Sequence, residues 1–149
     1  MKNTLALFLL AFTLFACSKT EDLNVETTQF ASDQYPQKWE LVSMSGNIAN
    51  AKLATGTAMA WQEHYLLNAD GSFTKTRVQN GKPTEASGTF SLESINGESY
   101  LVFTYQTKSP IIGSCSSDLT EVVAIRSSDS MYSTWLACDG PGLEYKRVK

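Results

Sequence analysis

Between Tyr65 and Arg77 the chain reads as a strand, a turn at Asn68-Ala69-Asp70-Gly71, and a second strand. Tyr65 and Leu67 alternate with polar His64 and Asn68. Past the turn, Phe73 and Val78 are the apolar residues among Thr, Lys and Arg. An alternation of period two broken by Asp-Gly is a strong short-range hairpin signal, because the turn residues tolerate positive φ and side chains alternate across a strand. A chain assembled from such units must close or cover its sheet edges.

The pattern repeats along the chain. Strands are expected at Lys38–Met44, Met59–Leu67, Ser72–Gln79, Glu85–Leu92, Ser99–Gln106, Leu119–Ile125, Met131–Ala137 and Leu143–Val148. Asn80-Gly81, Asn96-Gly97 and Ser127–Ser130 supply short turns. Gly46–Thr57 and Lys108–Ser117 are long connections, the first with room for one helical turn at Ala51-Lys52-Leu53. The expected fold is all-β: an eight-stranded antiparallel up-and-down barrel, since neighbours joined by short turns pair as hairpins and closure removes both edges. A two-sheet sandwich is the competing architecture.

The first residues belong to an address. Lys2 is followed by an apolar run from Leu5 to Phe15, too short to span about 30 Å of hydrocarbon as a helix. Leu14-Phe15-Ala16-Cys17 resembles a bacterial lipobox, in which the cysteine is lipidated and becomes the first residue. The expected division is a signal peptide over 1–16, a lipidated N-terminus and flexible tether over 17–37, and the barrel over 38–149. About twenty flexible residues reach roughly 25 Å, enough to hold a domain clear of lipid headgroups. Phe30 and Tyr35 are placed to dock the end of that tether. Ser18 after the cysteine resembles an outer-membrane sorting signal, so membrane attachment through the N-terminal lipid is the expected location, facing the periplasm or the surface.

With Cys17 committed to lipid, Cys115 and Cys138 form an even pair in an oxidising compartment. If Leu119 lies opposite Ala137, the two cysteines fall within a few residues of each other across one ladder, and a disulfide is reasonable. Two free thiols or a metal pair are the alternatives, and no histidine lies nearby to complete a metal site.

A formal charge of −3, with 12 basic and 15 acidic residues and no Lys/Arg cluster, argues against a nucleic-acid partner. The single histidine, His64, adjoins Glu63, and adjacent strand residues face opposite ways. No nucleophile elbow, metal-ligand spacing or phosphate-binding glycine loop is present. No enzyme activity, cofactor or metal is therefore expected. Glu121 shares a strand face with Leu119, Val123 and Ile125. It is a buried functional carboxylate if that face is interior, and a wet residue if it lies at the rim.

Aromatic residues recur at alternate positions on successive strands. Trp61, Tyr65, Phe90, Phe103, Tyr105 and Trp135 are the expected lining of a cup for a small apolar or amphipathic ligand, with Gly46–Thr57 as its lid. The other outcome is a lumen these rings fill, leaving the loops to bind a protein as an envelope hydrolase inhibitor or assembly partner.

The motifs Gln37-Lys38-Trp39-Glu40-Leu41-Val42, Asn68-Ala69-Asp70-Gly71-Ser72-Phe73, Ser87-Gly88-Thr89-Phe90 and Tyr145-Lys146-Arg147 resemble, in order and spacing, the bacterial lipocalin-like lipoproteins of the calycin type. The resemblance implies that Trp39 closes the barrel floor and that Arg147 of the last strand lies across its ring.

Overall fold

The structure, a computed structural model, describes residues 30–46, 52–116 and 118–148. It is all-β, with nine strands: β1 Gln37–Ser45, β2 Ala54–Thr55, β3 Gln62–Leu67, β4 Ser72–Gln79, β5 Lys82–Ile95, β6 Glu98–Tyr105, β7 Thr120–Ser127, β8 Ser130–Ser133 and β9 Gly142–Val148. From β3 onward each strand pairs antiparallel with the next, and β1 pairs with both β3 and β9. Eight strands thus close an up-and-down barrel, a shape consistent with a lipocalin-like fold, and the two-residue β2 is an outrigger on β1.

Local chemistry explains the turns. Asn80-Gly81 and Asn96-Gly97 both have positive φ at each position, the backbone that matches the right-handed twist of a tight hairpin. Asn68–Gly71 is a longer turn. The Asp70 carboxylate accepts from the Ser72 backbone N–H at 2.9 Å, and Gly71 alone takes positive φ.

β5 is the longest strand and belongs to two ladders. Its first half pairs with β4, and its second half pairs with β6. Gly88 lies at the crossover, opposite Phe73 on one side and Tyr105 on the other. A Cβ there would overlap the Thr104 carbonyl, so this wall requires glycine for close approach rather than for unusual φ.

The seam between β1 and β9 runs from Lys38 opposite Val148 to Ser45 opposite Gly142, with a register shift between Leu41 and Ser43. β1 meets β3 only as far as Glu40 opposite His64. Above that point the two strands part. The segment before β3 covers the gap, with β2 on Ser43 and Met44, Gln62 Nε2 donating to the Gly56 carbonyl at 2.8 Å, and Met59 buried. The connection's helical turn is a 3-10 turn at Gly56–Ala58, later than expected; Ala51 lies outside the described residues.

At the base, Phe30 stacks on Trp39 with ring centroids 6.2 Å apart, and Tyr35 packs near Phe90 at 6.2 Å. The last expected strand but one is shorter than the sequence suggested. β8 stops at Ser133, and Thr134–Cys138 forms a 3-10 turn instead of continuing to Ala137. Ser133 Oγ accepts from the Trp135 backbone N–H, Asp139 closes the turn at φ 69°, and Gly140 lies against the Trp135 ring. Val78 shares no face with Phe73. It lies on the outer side of β4 and is exposed.

The wall's tightest contact gives a direct test. Gly88→Ala is expected to destabilise the protein by about 2 kcal/mol or more, because the clash is with backbone of the neighbouring strand. Gly81→Ala at an open hairpin tip should cost less, only its backbone strain. Urea denaturation of both variants checks the order.

Candidate functional site

The lumen-facing residues of β3 are Glu63, Tyr65 and Leu67, and those of β4 are Phe73, Lys75 and Arg77. The hairpin register sets Glu63 opposite Arg77 and Tyr65 opposite Lys75. Glu121 enters from β7, Tyr105 from β6 and Tyr145 from β9. Four formal charges and three phenols therefore converge in the interior.

Lys75 is the hub. Its Nζ lies 3.1 Å from Glu63 Oε1 and 3.0 Å from each oxygen of Glu121, and 4.9 Å from the centroid of the Tyr65 ring. Arg77 Nε donates to Glu63 Oε2, and its Nη2 donates to the Ile111 carbonyl at 3.2 Å. Tyr145 donates to Glu63 Oε1 and Tyr105 to Glu121 Oε2, each at 2.5 Å. Lys75 and Glu121 have no solvent exposure, and Glu63 and Arg77 are also buried. Two cations balance two anions; Glu121 accepts from the Lys75 ammonium and a phenol, and Glu63 accepts from the Arg77 guanidinium and a phenol while ion-paired with Lys75. That is the condition under which buried charge is tolerable.

Burial alone would raise the Glu63 carboxyl. Lys75, Arg77 and the Tyr145 hydroxyl outweigh it and hold the group below its ordinary value of 4.5. Burial, then the neighbouring carboxylates, push Tyr105 and Tyr145 well above 10.0, so both remain hydrogen-bond donors. Tyr65 rises for the same reasons.

A cap closes the mouth above this cluster. In the connection between β6 and β7, Ile111 is buried and its carbonyl holds Arg77. A Cβ at Gly113 would come within 2.7 Å of Glu121 Oε1 and 3.0 Å of the Trp135 ring, so the backbone of this loop rests directly on both. The Cys115–Cys138 disulfide ties the loop to the 3-10 turn, with Cα atoms 5.5 Å apart. Closing a loop of 23 residues contributes about 3 kcal/mol in the chain-entropy account.

The six residues expected to line one cup do not share one. Tyr65, Phe103 and Tyr105 are buried together with Phe73, Tyr65 stacking on Phe103 at 4.6 Å and Phe73 meeting Tyr105 edge-on at 5.0 Å. Phe90 is half-buried at the base beside Tyr35. Trp61 and Trp135 are half-buried at the mouth, Trp61 beneath the Arg77 guanidinium at 4.2 Å. Trp39 and Arg147 are register partners at the seam. Trp39 has Phe30 as its stacking partner, and Arg147 Nη2 donates to Gln34 Oε1 at 2.8 Å. Cys17 lies outside the described residues.

His64 is half-buried on the outer face, its basicity lowered by partial burial and then by Lys38. Glu121 is an interior residue, and the wet-rim alternative is set aside by its complete burial. Sequence reasoning passed over Glu63, Lys75 and Arg77. Their signal was positional, since each has the parity of Tyr65 or Phe73. Among the described residues no group of three or more His, Cys, Asp or Glu is arranged to hold a metal, and no helix is long and apolar enough to cross a membrane.

Comparison with known proteins finds no matching family model, no matching curated protein and no matching solved structure.

The cluster makes two coupled predictions. Lys75→Ala should destabilise by about 3–5 kcal/mol by leaving the buried Glu121 without its cation, while Glu63 keeps Arg77. Lys75→Met combined with Glu121→Leu should recover much of that loss, as urea denaturation at pH 7 would measure. For Glu63, the folded pKa lies below the unfolded one. Its stabilisation is full above pH 4.5 and falls away as pH drops through the lowered folded value. Glu63→Gln should flatten that acid limb.

Proposed function

We propose that the chain is a lipid-anchored binding protein of the cell envelope that engages a protein partner through the mouth of its barrel and carries out no catalysis. The observation that carries this reading is that the lumen is filled by its own ionic cluster and aromatic core, so recognition falls to the rim. The signal pattern with its terminal cysteine and the disulfide support an exported, membrane-tethered location, with the outer membrane as the proposed one.

The rim offers a surface suited to such a partner. A shallow groove of about 340 Å³ is lined by Met44, Ala54, Ala58, Ala60, Trp61 and Pro141, with Lys52 as the charge at its edge. Leu53, between two of the lining residues, is 66% exposed. A small ligand is ordinarily enclosed over most of its surface, which a shallow groove does not do. The matching partner is an extended protein segment presenting an apolar side chain beside a carboxylate that faces Lys52.

The second reading places a small amphipathic ligand inside the barrel. It is favoured by the parted upper edges of β1 and β3, where the segment bearing Met59 closes the wall in place of a strand.

Photo-crosslinking in cells separates the two. A photoreactive residue at Leu53 or Ala58 should capture a discrete partner, one at Thr89 on the opposite wall should not, and Lys52→Glu should reduce the yield. Equal capture from Thr89, or a stoichiometric small-molecule mass retained in native mass spectrometry, would overturn the rim reading.

A further inference from the structure

The base of the barrel, at the opposite end from the groove, carries an unsatisfied cation. Arg147 of β9 faces the same way as Trp39, its register partner on β1. Its Nη1 is buried and has no hydrogen-bond partner, and its Nη2 is held only by the neutral amide oxygen of Gln34, at 2.8 Å. Among the described residues no carboxylate lies within 4.0 Å of it. Asp129, whose backbone carbonyl accepts from the Arg147 N–H, pairs its side chain with Lys146 at 3.9 Å. Lys38, on the β1 side of this seam, is paired with Glu40 at 2.6 Å. Arg147 is therefore the cation of the base with no carboxylate in contact, Asp129 acting on it only from a longer range.

Beside it lies a cleft of about 250 Å³, lined by Gln34, Tyr35, Pro36, Gln37, Arg147 and Val148. A buried guanidinium hydrogen without an acceptor is costly, and a planar guanidinium matches the paired oxygens of a phosphate or carboxylate. Gln34 occupies one of the positions such an anion would take. Its side chain is at the surface and is free to be displaced, whereas Gln37 is buried and fixed, its amide oxygen accepting from the Trp39 indole at 3.1 Å.

We propose that this cleft is an oxyanion site, in which a phosphate or carboxylate group displaces the Gln34 amide and accepts hydrogen bonds from both terminal nitrogens of Arg147. The cleft adjoins the chain segment entering from the N-terminal side, so the oxyanion can come from solution or from a lipid headgroup. The site is independent of the rim and stands or falls apart from the proposed partner there.

The test is NMR titration of the full mature chain, following the Arg147 Nε–H and the Gln34 and Gln37 side-chain amides. Inorganic phosphate, acetate and phosphatidylglycerol vesicles are the three probes, with phosphatidylcholine vesicles as the low-charge comparison. Saturable shifts with phosphate or acetate support a soluble oxyanion, and shifts with phosphatidylglycerol alone support a headgroup. Arg147→Gln should weaken binding by about tenfold or more. Gln34→Ala, a surface change that spares the core, should tighten it by removing the competing acceptor. Absence of shifts with all three probes would overturn the site. So would equal weakening by Arg126→Gln on the exposed face of β7, or Gln34→Ala leaving the affinity unchanged.

Discussion

One ammonium group governs the interior of this barrel. Lys75 Nζ sits between Glu63 and Glu121, about 3 Å from oxygens of both, with no water-accessible surface. Stripped of solvent, each charge is tolerable only through the others, and the geometry of all four ionic groups is thereby fixed. Glu63 joins Lys75 to Arg77, and Arg77 reaches the cap through the Ile111 carbonyl. Tyr105 and Tyr145 bring in the strands on the far side. Contacts from β3, β4, β6, β7 and β9 meet at this one knot.

The cap follows from the knot. A loop passing over buried charges must place backbone where it can accept or approach without obstruction. Ile111 offers a carbonyl, and Gly113 offers the absence of a side chain where Glu121 and Trp135 leave no room. The disulfide then holds the loop against the 3-10 turn that replaces the end of β8. Barrel interior, lid and crosslink form a single arrangement, and the two ends of the molecule are left with different tasks. The mouth presents an apolar groove and the base presents a guanidinium with one buried nitrogen lacking an acceptor.

Much of the wall was legible in the sequence because its code is local. Alternation of period two and Asn-Gly turns identify β4 to the residue and place the other expected strands within about four positions, β5 being longer than expected at both ends and β8 ending early at Ser133; the short β2 carries no such signal. The register estimate that set Leu119 against Ala137 agrees with the observed pairing of Val123 with Ser133. The same estimate missed the 3-10 turn because Thr134-Trp135-Leu136 has strand-like composition, and the cap from Ser133 decides otherwise. The ionic cluster was overlooked for a different reason. Charged residues are rarely interior, so nothing but their sharing the parity of Phe73 marks Lys75 and Arg77 as lumen residues. The discriminating clue was the pairing of opposite charges at interior parity, Glu63 facing Arg77 across the hairpin.

The central claim is that the lumen is dry and occupied by its own charges. Hydrogen-exchange NMR on the side chains measures this most directly. A dry cluster predicts observable, slowly exchanging proton signals from the Lys75 ammonium and from the Tyr105 and Tyr145 hydroxyls at neutral pH, with cross-peaks linking the cluster. Rapid exchange of those protons with bulk water would mean a wet, open lumen and would contradict the account.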